Sequence, residues 1–149
     1  MSESMTVGAA AGDVYQAQGY LSPIRIMSEA GAGQLADKIA GIYDDHGVEA
    51  KGLLGSNAHL IFPELFDLVC NPAILDRVEE VLGPDILCWS AAFFSKPAHD
   101  PSFVSWHQDL TYWGLEPADI ITAWVALTPS TKESGCMRVV PGTHNEGQL

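Results

Sequence analysis

Apolar residues recur at helical spacing through the first half of the chain. Ser28 is a favourable helix N-cap. The apolar positions that follow it at intervals of three and four residues are Leu35, Ile39, Ile42 and Tyr43. Side chains at this spacing share one face of a helix. The pattern therefore predicts an amphipathic helix from Ser28 to about His46, ended by Gly47.

Shorter helices are predicted on either side of this one. Residues 13–18 are expected to form a helical turn, and residues 63–69 a short helix. Asn71 and Pro72 are favoured at the N-cap and at the first position of a helix, respectively. An apolar face follows them as far as Gly83, which predicts a helix that ends there.

Beyond residue 85 the pattern becomes that of extended chain. Residues 86–94 are apolar on both faces, as in a buried strand. Further strands are predicted over residues 20–27, 103–110, 120–127 and 136–140. Helices followed by strands indicate an α+β fold, with helices in residues 13–83 packed outside a double-sheet barrel formed by residues 86–149. A jelly roll has about eight strands, so the barrel expected here is incomplete.

The composition is that of one globular domain. The chain has 149 residues, of which 47% are hydrophobic and 17% charged, enough to form an apolar core. Residues 1–12 are small and polar and contain no Lys or Arg. They are expected to form a disordered leader and not a secretory signal, so that the domain occupies residues 13–149.

The charge excludes several classes of partner. The formal net charge is −12, from 19 acidic and 7 basic residues. Nucleic acids and anionic membranes are bound by clusters of Lys and Arg, so neither is expected as a partner. The three cysteines form no CxxC motif, which favours reduced thiols and a cytoplasmic location. The composition does not indicate an oligomeric state.

One short motif carries metal chemistry. His107 and Asp109 lie two residues apart on a predicted strand, so their side chains point to the same face. An imidazole nitrogen and a carboxylate oxygen can then bind one metal ion, as two of the three ligands in the 2-His-1-carboxylate triad of non-haem Fe(II) oxygenases. The triplet alone is weak evidence, because a surface or hydrogen-bonded pair has the same spacing.

The sequence around the triplet makes the assignment more specific. Trp106-His107-Gln108-Asp109 is followed by Tyr112-Trp113-Gly114-Leu115, Ala123-Trp124-Val125-Ala126-Leu127 and Val139-Val140-Pro141-Gly142-Thr143-His144. From about residue 13 onward, this ordered series resembles the N-terminal part of the phytanoyl-CoA dioxygenase family of Fe(II)/2-oxoglutarate oxygenases. The resemblance implies a double-stranded β-helix, a jelly-roll or cupin-like barrel with flanking N-terminal helices, that holds one Fe(II).

The resemblance also implies roles for individual residues. His107 and Asp109 match the family's first two iron ligands, and hence its catalytic centre. The residues that match positions near 2-oxoglutarate are Gln108, Trp124, Ala92 and Asn57, with His59 as the alternative to Asn57. Tyr112 and Trp113 follow the ligand segment, and are expected either to face the substrate or to fill the core.

The implied activity is hydroxylation of a small organic substrate, with 2-oxoglutarate and O2 as co-substrates and succinate and CO2 as products. Halogenating relatives have a small residue in place of the carboxylate ligand, so Asp109 favours hydroxylation. The family's distal iron His and its 2-oxoglutarate-binding Arg are expected beyond Leu149. Two alternatives stay open: a non-catalytic cupin-like module or inactive fragment without the distal ligands, and another cupin chemistry on a different metal.

Overall fold

The computed structural model describes residues 10–117 and 119–147, and its regular structure is helical. The α-helices are α1 (Ala11–Gln18), α2 (Glu29–His46), α3 (Ala50–Gly55), α4 (Pro63–Val69), α5 (Pro72–Leu82) and α6 (Leu110–Trp113). Short 3-10 turns cover Gly47–Glu49, Ala58–Leu60 and Thr143–Asn145. Residues 1–9 of the predicted leader lie outside the described residues. In the described ranges, no helix has the length and apolar character that a membrane crossing requires.

The N-caps predicted for α2 and α5 are confirmed. Ser28 Oγ accepts a hydrogen bond from the backbone N–H of Gly31 at 3.1 Å. Asn71 Oδ1 accepts one from the N–H of Ala73 at 2.9 Å, and Pro72 occupies the first turn of α5. Each cap satisfies a backbone donor that the helix itself leaves unpaired, which fixes where the helix begins.

The hydrophobic core lies where α2, α3, α4 and the turn at Ala58–Leu60 meet. Its buried members are Ile39, Leu54, Ala58 and Leu65. Partly buried side chains that pack against them are Leu35, Ile42, Tyr43, Phe62, Phe93 and Leu127. The apolar face predicted for α2 is thus confirmed. Phe93 and Leu127 attach the second half of the chain to this helical core.

The predicted β-barrel is wrong for the residues that the structure describes. They contain no β-strand, and residues 86–109 and 119–140 are non-helical, irregular chain. A sheet requires N–H and C=O groups to pair between strands. In the described ranges, no backbone hydrogen bond joins one predicted strand to another. The double-stranded β-helix is therefore replaced by a helical half followed by irregular chain with isolated helical turns.

The backbone bonds of this second half show why the prediction failed. The N–H of Phe93 donates to the carbonyl of Leu54 (2.9 Å), and that of Ala58 donates to the carbonyl of Ala91 (3.2 Å), so the strand predicted over residues 86–94 is bonded to the helical half instead. An apolar run indicates which side chains avoid water, but it does not specify a pairing partner. Large side chains of these segments, such as Leu87 and Phe103, stay exposed.

The two ends of the described chain meet at α1. The N–H of Gly142 donates to the carbonyl of Gln18 (2.9 Å), and Nε2 of His144 donates to the carbonyl of Gln16 (3.1 Å). Gly19 ends α1 in the left-handed region at φ 79°, with the His144 ring against it. These contacts satisfy carbonyl groups at the C-terminus of α1. We call this group of contacts the α1 clasp.

Candidate metal centre

The His107-Gln108-Asp109 triplet lies directly before α6. Asp109 occupies the N-cap position with helical backbone angles (φ −57°, ψ −40°), and the helix ends at Gly114, whose φ is 58°. The N–H of Tyr112 donates to the carbonyl of Asp109 at 3.0 Å. A turn into a short helix therefore replaces the predicted strand at this place.

The turn still brings the two predicted ligands together. Nε2 of His107 lies 3.1 Å from Oδ1 of Asp109. The side chains are 31% and 38% exposed, so the pair is accessible from solvent. Two ligand atoms that occupy adjacent positions about 2.1 Å from one metal ion are about 3 Å apart. The observed separation thus fits a shared metal ion.

The other nitrogen of His107 determines what the pair can bind. Nδ1 donates to the carbonyl oxygen of Ser105 at 2.8 Å, because a carbonyl can only accept. In the neutral ring, Nε2 then presents a lone pair to Asp109, whose carboxylate is also an acceptor. Two facing acceptors are stabilised by a cation held between them or by a second proton on the ring. This arrangement is the one by which proteins orient metal-binding histidines.

Asp109 is held on its other side by Thr122. The hydroxyl of Thr122 donates to Oδ2 of Asp109, which leaves Oδ1 directed at His107. Ser105 and Thr122 were not expected at the site from the sequence. A backbone carbonyl has no sequence signal, whereas the single hydroxyl within the apolar run 120–127 is a signal that could have identified Thr122.

Aromatic residues flank the pair. The Tyr112 ring meets His107 edge to face, with ring centroids 5.6 Å apart and an interplanar angle of 73°. Tyr112 is mostly exposed, whereas Trp113 at the end of α6 is half-buried. The guanidinium of Arg138 lies over the Trp106 ring, 5.5 Å from its centroid. Tyr112 is therefore the predicted substrate residue that the structure places against a candidate ligand.

The residues predicted near 2-oxoglutarate are less closely associated with the His107–Asp109 pair than Tyr112 is. Nε2 of Gln108 donates to the carbonyl of Thr143 at 3.2 Å, which ties the triplet to the loop of the α1 clasp. Asn57 and Ala92 adjoin the hydrogen bond between Ala58 and Ala91, so their segments lie side by side.

Trp124 is 45% exposed and follows Thr122 by two residues. Among the described residues, no hydrogen bond or ring contact joins Asn57, Ala92 or Trp124 to His107 and Asp109. The alternative to Asn57, His59, is buried with Nδ1 lacking a hydrogen-bond partner in the described structure. Roles for these residues at 2-oxoglutarate stay predictions.

A third metal ligand is not evident in the described part of the chain. Within residues 10–117 and 119–147, no three His, Cys, Asp or Glu side chains are grouped as a metal site. His144 makes its contacts with α1, including Gln16 and the Tyr15 ring. The structure thus gives His144 a place in the α1 clasp, and His107 and Asp109 are the two predicted ligands that lie together.

The order of the motifs around His107 and Asp109 is explained by a match to a known protein family. The family model for phytanoyl-CoA dioxygenase (PhyH) matches residues 15–149, nearly the whole chain. The chain belongs to the phytanoyl-CoA dioxygenase family. The family match includes both candidate ligands, His107 and Asp109, together with Ser105 and Thr122, which bond to them.

The relatives of this family member match different lengths of its chain. It is 38% identical over 85 residues to human peroxisomal phytanoyl-CoA dioxygenase, covering 54% of this chain and 25% of the human protein. A probable phytanoyl-CoA dioxygenase of Caenorhabditis elegans is 35% identical over 89 residues, covering 55% and 28%. An L-proline trans-4-hydroxylase of Streptomyces griseoviridis is 27% identical over 144 residues, covering 89% and 54%.

The chain therefore spans about a quarter of the human and nematode relatives and about half of the Streptomyces relative. An ectoine dioxygenase of Bordetella parapertussis is 26% identical over 103 residues, covering 62% of this chain and 33% of the relative. No solved structure matches this phytanoyl-CoA dioxygenase family member significantly.

Proposed function

We propose that this family member is an Fe(II)- and 2-oxoglutarate-dependent dioxygenase that hydroxylates a small organic substrate. The observation that carries the proposal is the His107–Asp109 pair, with Nε2 and Oδ1 3.1 Å apart and Nδ1 held by the Ser105 carbonyl. The relatives named as a proline hydroxylase and an ectoine dioxygenase support oxygenation of a small molecule.

In the proposed site, Nε2 of His107 and Oδ1 of Asp109 would hold the iron. Bound iron and 2-oxoglutarate supply the O2-activating chemistry, in which one oxygen atom enters succinate, the other enters the hydroxylated product, and CO2 is released. The Ser105 carbonyl keeps the proton on Nδ1 and so leaves Nε2 free to bind. Asp109 fills a ligand position with a carboxylate, which favours hydroxylation over halogenation.

The co-substrate and substrate residues follow from the family resemblance. Gln108, Trp124, Ala92 and Asn57 are proposed to contact 2-oxoglutarate. Tyr112 and Trp113 are proposed to border the substrate, and the ring contact between Tyr112 and His107 supports the first of these. Substrate bound against Tyr112 would lie beside the metal ligand.

The test is succinate formation from 2-oxoglutarate, measured by NMR with L-proline, ectoine and phytanoyl-CoA as trial substrates. We expect succinate to require both Fe(II) and O2. His107→Ala and Asp109→Ala should each lower the rate by at least about 100-fold, because loss of a ligand exceeds the usual effect of loss of an outer partner. The control His46→Ala alters an exposed histidine at the end of α2 and should keep the wild-type rate. Wild-type rates in both ligand variants would refute the assignment.

A different observation supports a second candidate function. Among the described residues, two candidate metal ligands lie together and no group of three is present. A non-catalytic binding module would need no complete triad. This alternative predicts that small molecules bind without succinate formation, and that binding does not require a metal ion.

A further inference from the structure

Thr122 is the polar side chain that links a distant segment to the candidate metal centre. It lies 13 residues beyond Asp109, within the apolar run 120–127. Its hydroxyl donates to Oδ2 of Asp109, while Oδ1 faces His107. The two carboxylate oxygens of Asp109 therefore have different partners, and the hydroxyl determines which oxygen is left for a metal ion.

A partly exposed carboxylate needs such a partner to hold one orientation. The Asp109 side chain is 38% exposed, so without a second contact it can rotate about its last side-chain bond. A hydroxyl-to-carboxylate hydrogen bond is charge-assisted and stronger than a bond between neutral groups. Occupation of Oδ2 by the hydroxyl also opposes chelation of a metal ion by both oxygens.

The two predicted ligands are oriented by the same device. His107 is fixed through Nδ1 by the Ser105 carbonyl, and Asp109 is fixed through Oδ2 by the Thr122 hydroxyl. In both residues, the atom that does not face the partner ligand makes the orienting hydrogen bond. Such outer contacts set the direction and basicity of metal ligands.

The position of Thr122 is itself tied to the helical core. Leu127, five residues later in the same segment, packs against the core cluster that contains Leu54 and Leu65. The orienting hydroxyl thus belongs to a segment attached to the helical half, whereas Asp109 belongs to the turn into α6.

We propose that Thr122 is a positioning residue that directs Oδ1 of Asp109 toward the metal ion. The inference rests on the proposed function, since it requires a metal ion between His107 and Asp109. It concerns the hydroxyl and not the methyl group of Thr122. Thr122→Val removes the hydroxyl and keeps the shape, while Thr122→Ser keeps the hydroxyl and removes the methyl group.

The experiment is a titration of the full chain with Mn(II), followed by the loss of the free-ion EPR signal. Mn(II) accepts the same nitrogen and oxygen ligands and is stable without substrate. We expect Thr122→Val to weaken Mn(II) binding by about 10- to 100-fold, as for other outer partners of metal ligands. Thr122→Ser should bind within a few-fold of wild type. The matched control Thr128→Val changes an exposed threonine in a neighbouring loop and should bind like wild type.

The outcomes separate this inference from the proposed function. If wild type binds no Mn(II), or binds it equally after His107→Ala, the proposed function fails. If His107→Ala abolishes binding but Thr122→Val binds like wild type, the inference fails alone. Equal weakening by Thr122→Val and Thr122→Ser assigns the effect to packing and also overturns it. If Thr122→Val does not fold, the same comparison is made between Thr122→Ala and Thr122→Ser, and equal affinities overturn the inference.

Discussion

The two ring nitrogens of His107 have unequal surroundings, and the proposed metal binding rests on this difference. Nδ1 faces a carbonyl and Nε2 faces a carboxylate, so hydrogen bonding assigns the proton to the first and leaves the second for a cation. The spacing of His107 and Asp109 predicted that they lie close together, but on a strand, whereas the turn before α6 brings them together in the structure. It could not predict Ser105 or Thr122, because those contacts depend on how the chain turns before α6 and where residues 120–127 return.

Tyr15 provides a residue-scale prediction for the dependence of stability on pH. Burial raises the pKa of Tyr15 above its ordinary value of 10.0, and its ring lies 6.2 Å from that of His144. A group whose pKa is raised on folding contributes stability that is fully present below the unfolded pKa and is lost as pH rises through the folded pKa. We therefore expect the free energy of unfolding to fall above pH 10.

The measurement is urea unfolding of wild type and Tyr15→Phe across the alkaline range. Phe keeps the ring but cannot ionise, so the variant should lose less stability than wild type between pH 9 and pH 11 (the range that spans the ordinary pKa). Parallel curves for the two proteins would show that Tyr15 does not carry this dependence.

At the scale of elements, the α1 clasp joins residues that are far apart in the sequence. Gly19 allows both the left-handed end of α1 and the close approach of His144, since a Cβ there would lie 2.5 Å from Nδ1 of that ring. Gln108 contacts the same loop through the Thr143 carbonyl. The clasp therefore connects α1 to the triplet that carries the candidate ligands.

Gly19→Ala should destabilise the protein by about 1–2 kcal/mol from the left-handed backbone, with a further cost from the contact with His144. The control is Gly33→Ala within α2, where an added Cβ meets nothing within 4 Å. That change should stabilise the protein by up to about 1 kcal/mol, because Ala is the better helix former. Urea unfolding gives both values. Equal changes in the free energy of unfolding for Gly19→Ala and Gly33→Ala would contradict the role assigned to Gly19 in the α1 clasp.

At the scale of the whole molecule, the helix ends, which depend on neighbouring residues, were predictable from the sequence. The pairing of strands was not. The helix caps at Ser28 and Asn71 act on backbone groups two or three residues away, so the sequence near them was sufficient. The strands could not be predicted in this way, because a strand forms only by pairing with another strand. Residues 86–94 form hydrogen bonds with Leu54 and Ala58 instead. The family membership came from the order of motifs, which does not depend on that pairing.

The central claim is that His107 and Asp109 share one metal ion. The most direct measurement is an anaerobic calorimetric titration of Fe(II) into wild type, Asp109→Ala and Asp37→Ala, where the last removes an exposed carboxylate of α2. We predict one Fe(II) per chain in wild type and in Asp37→Ala, with affinity lowered by more than about 100-fold in Asp109→Ala. Absence of Fe(II) binding in wild type, or equal affinity in wild type and Asp109→Ala, would contradict the claim.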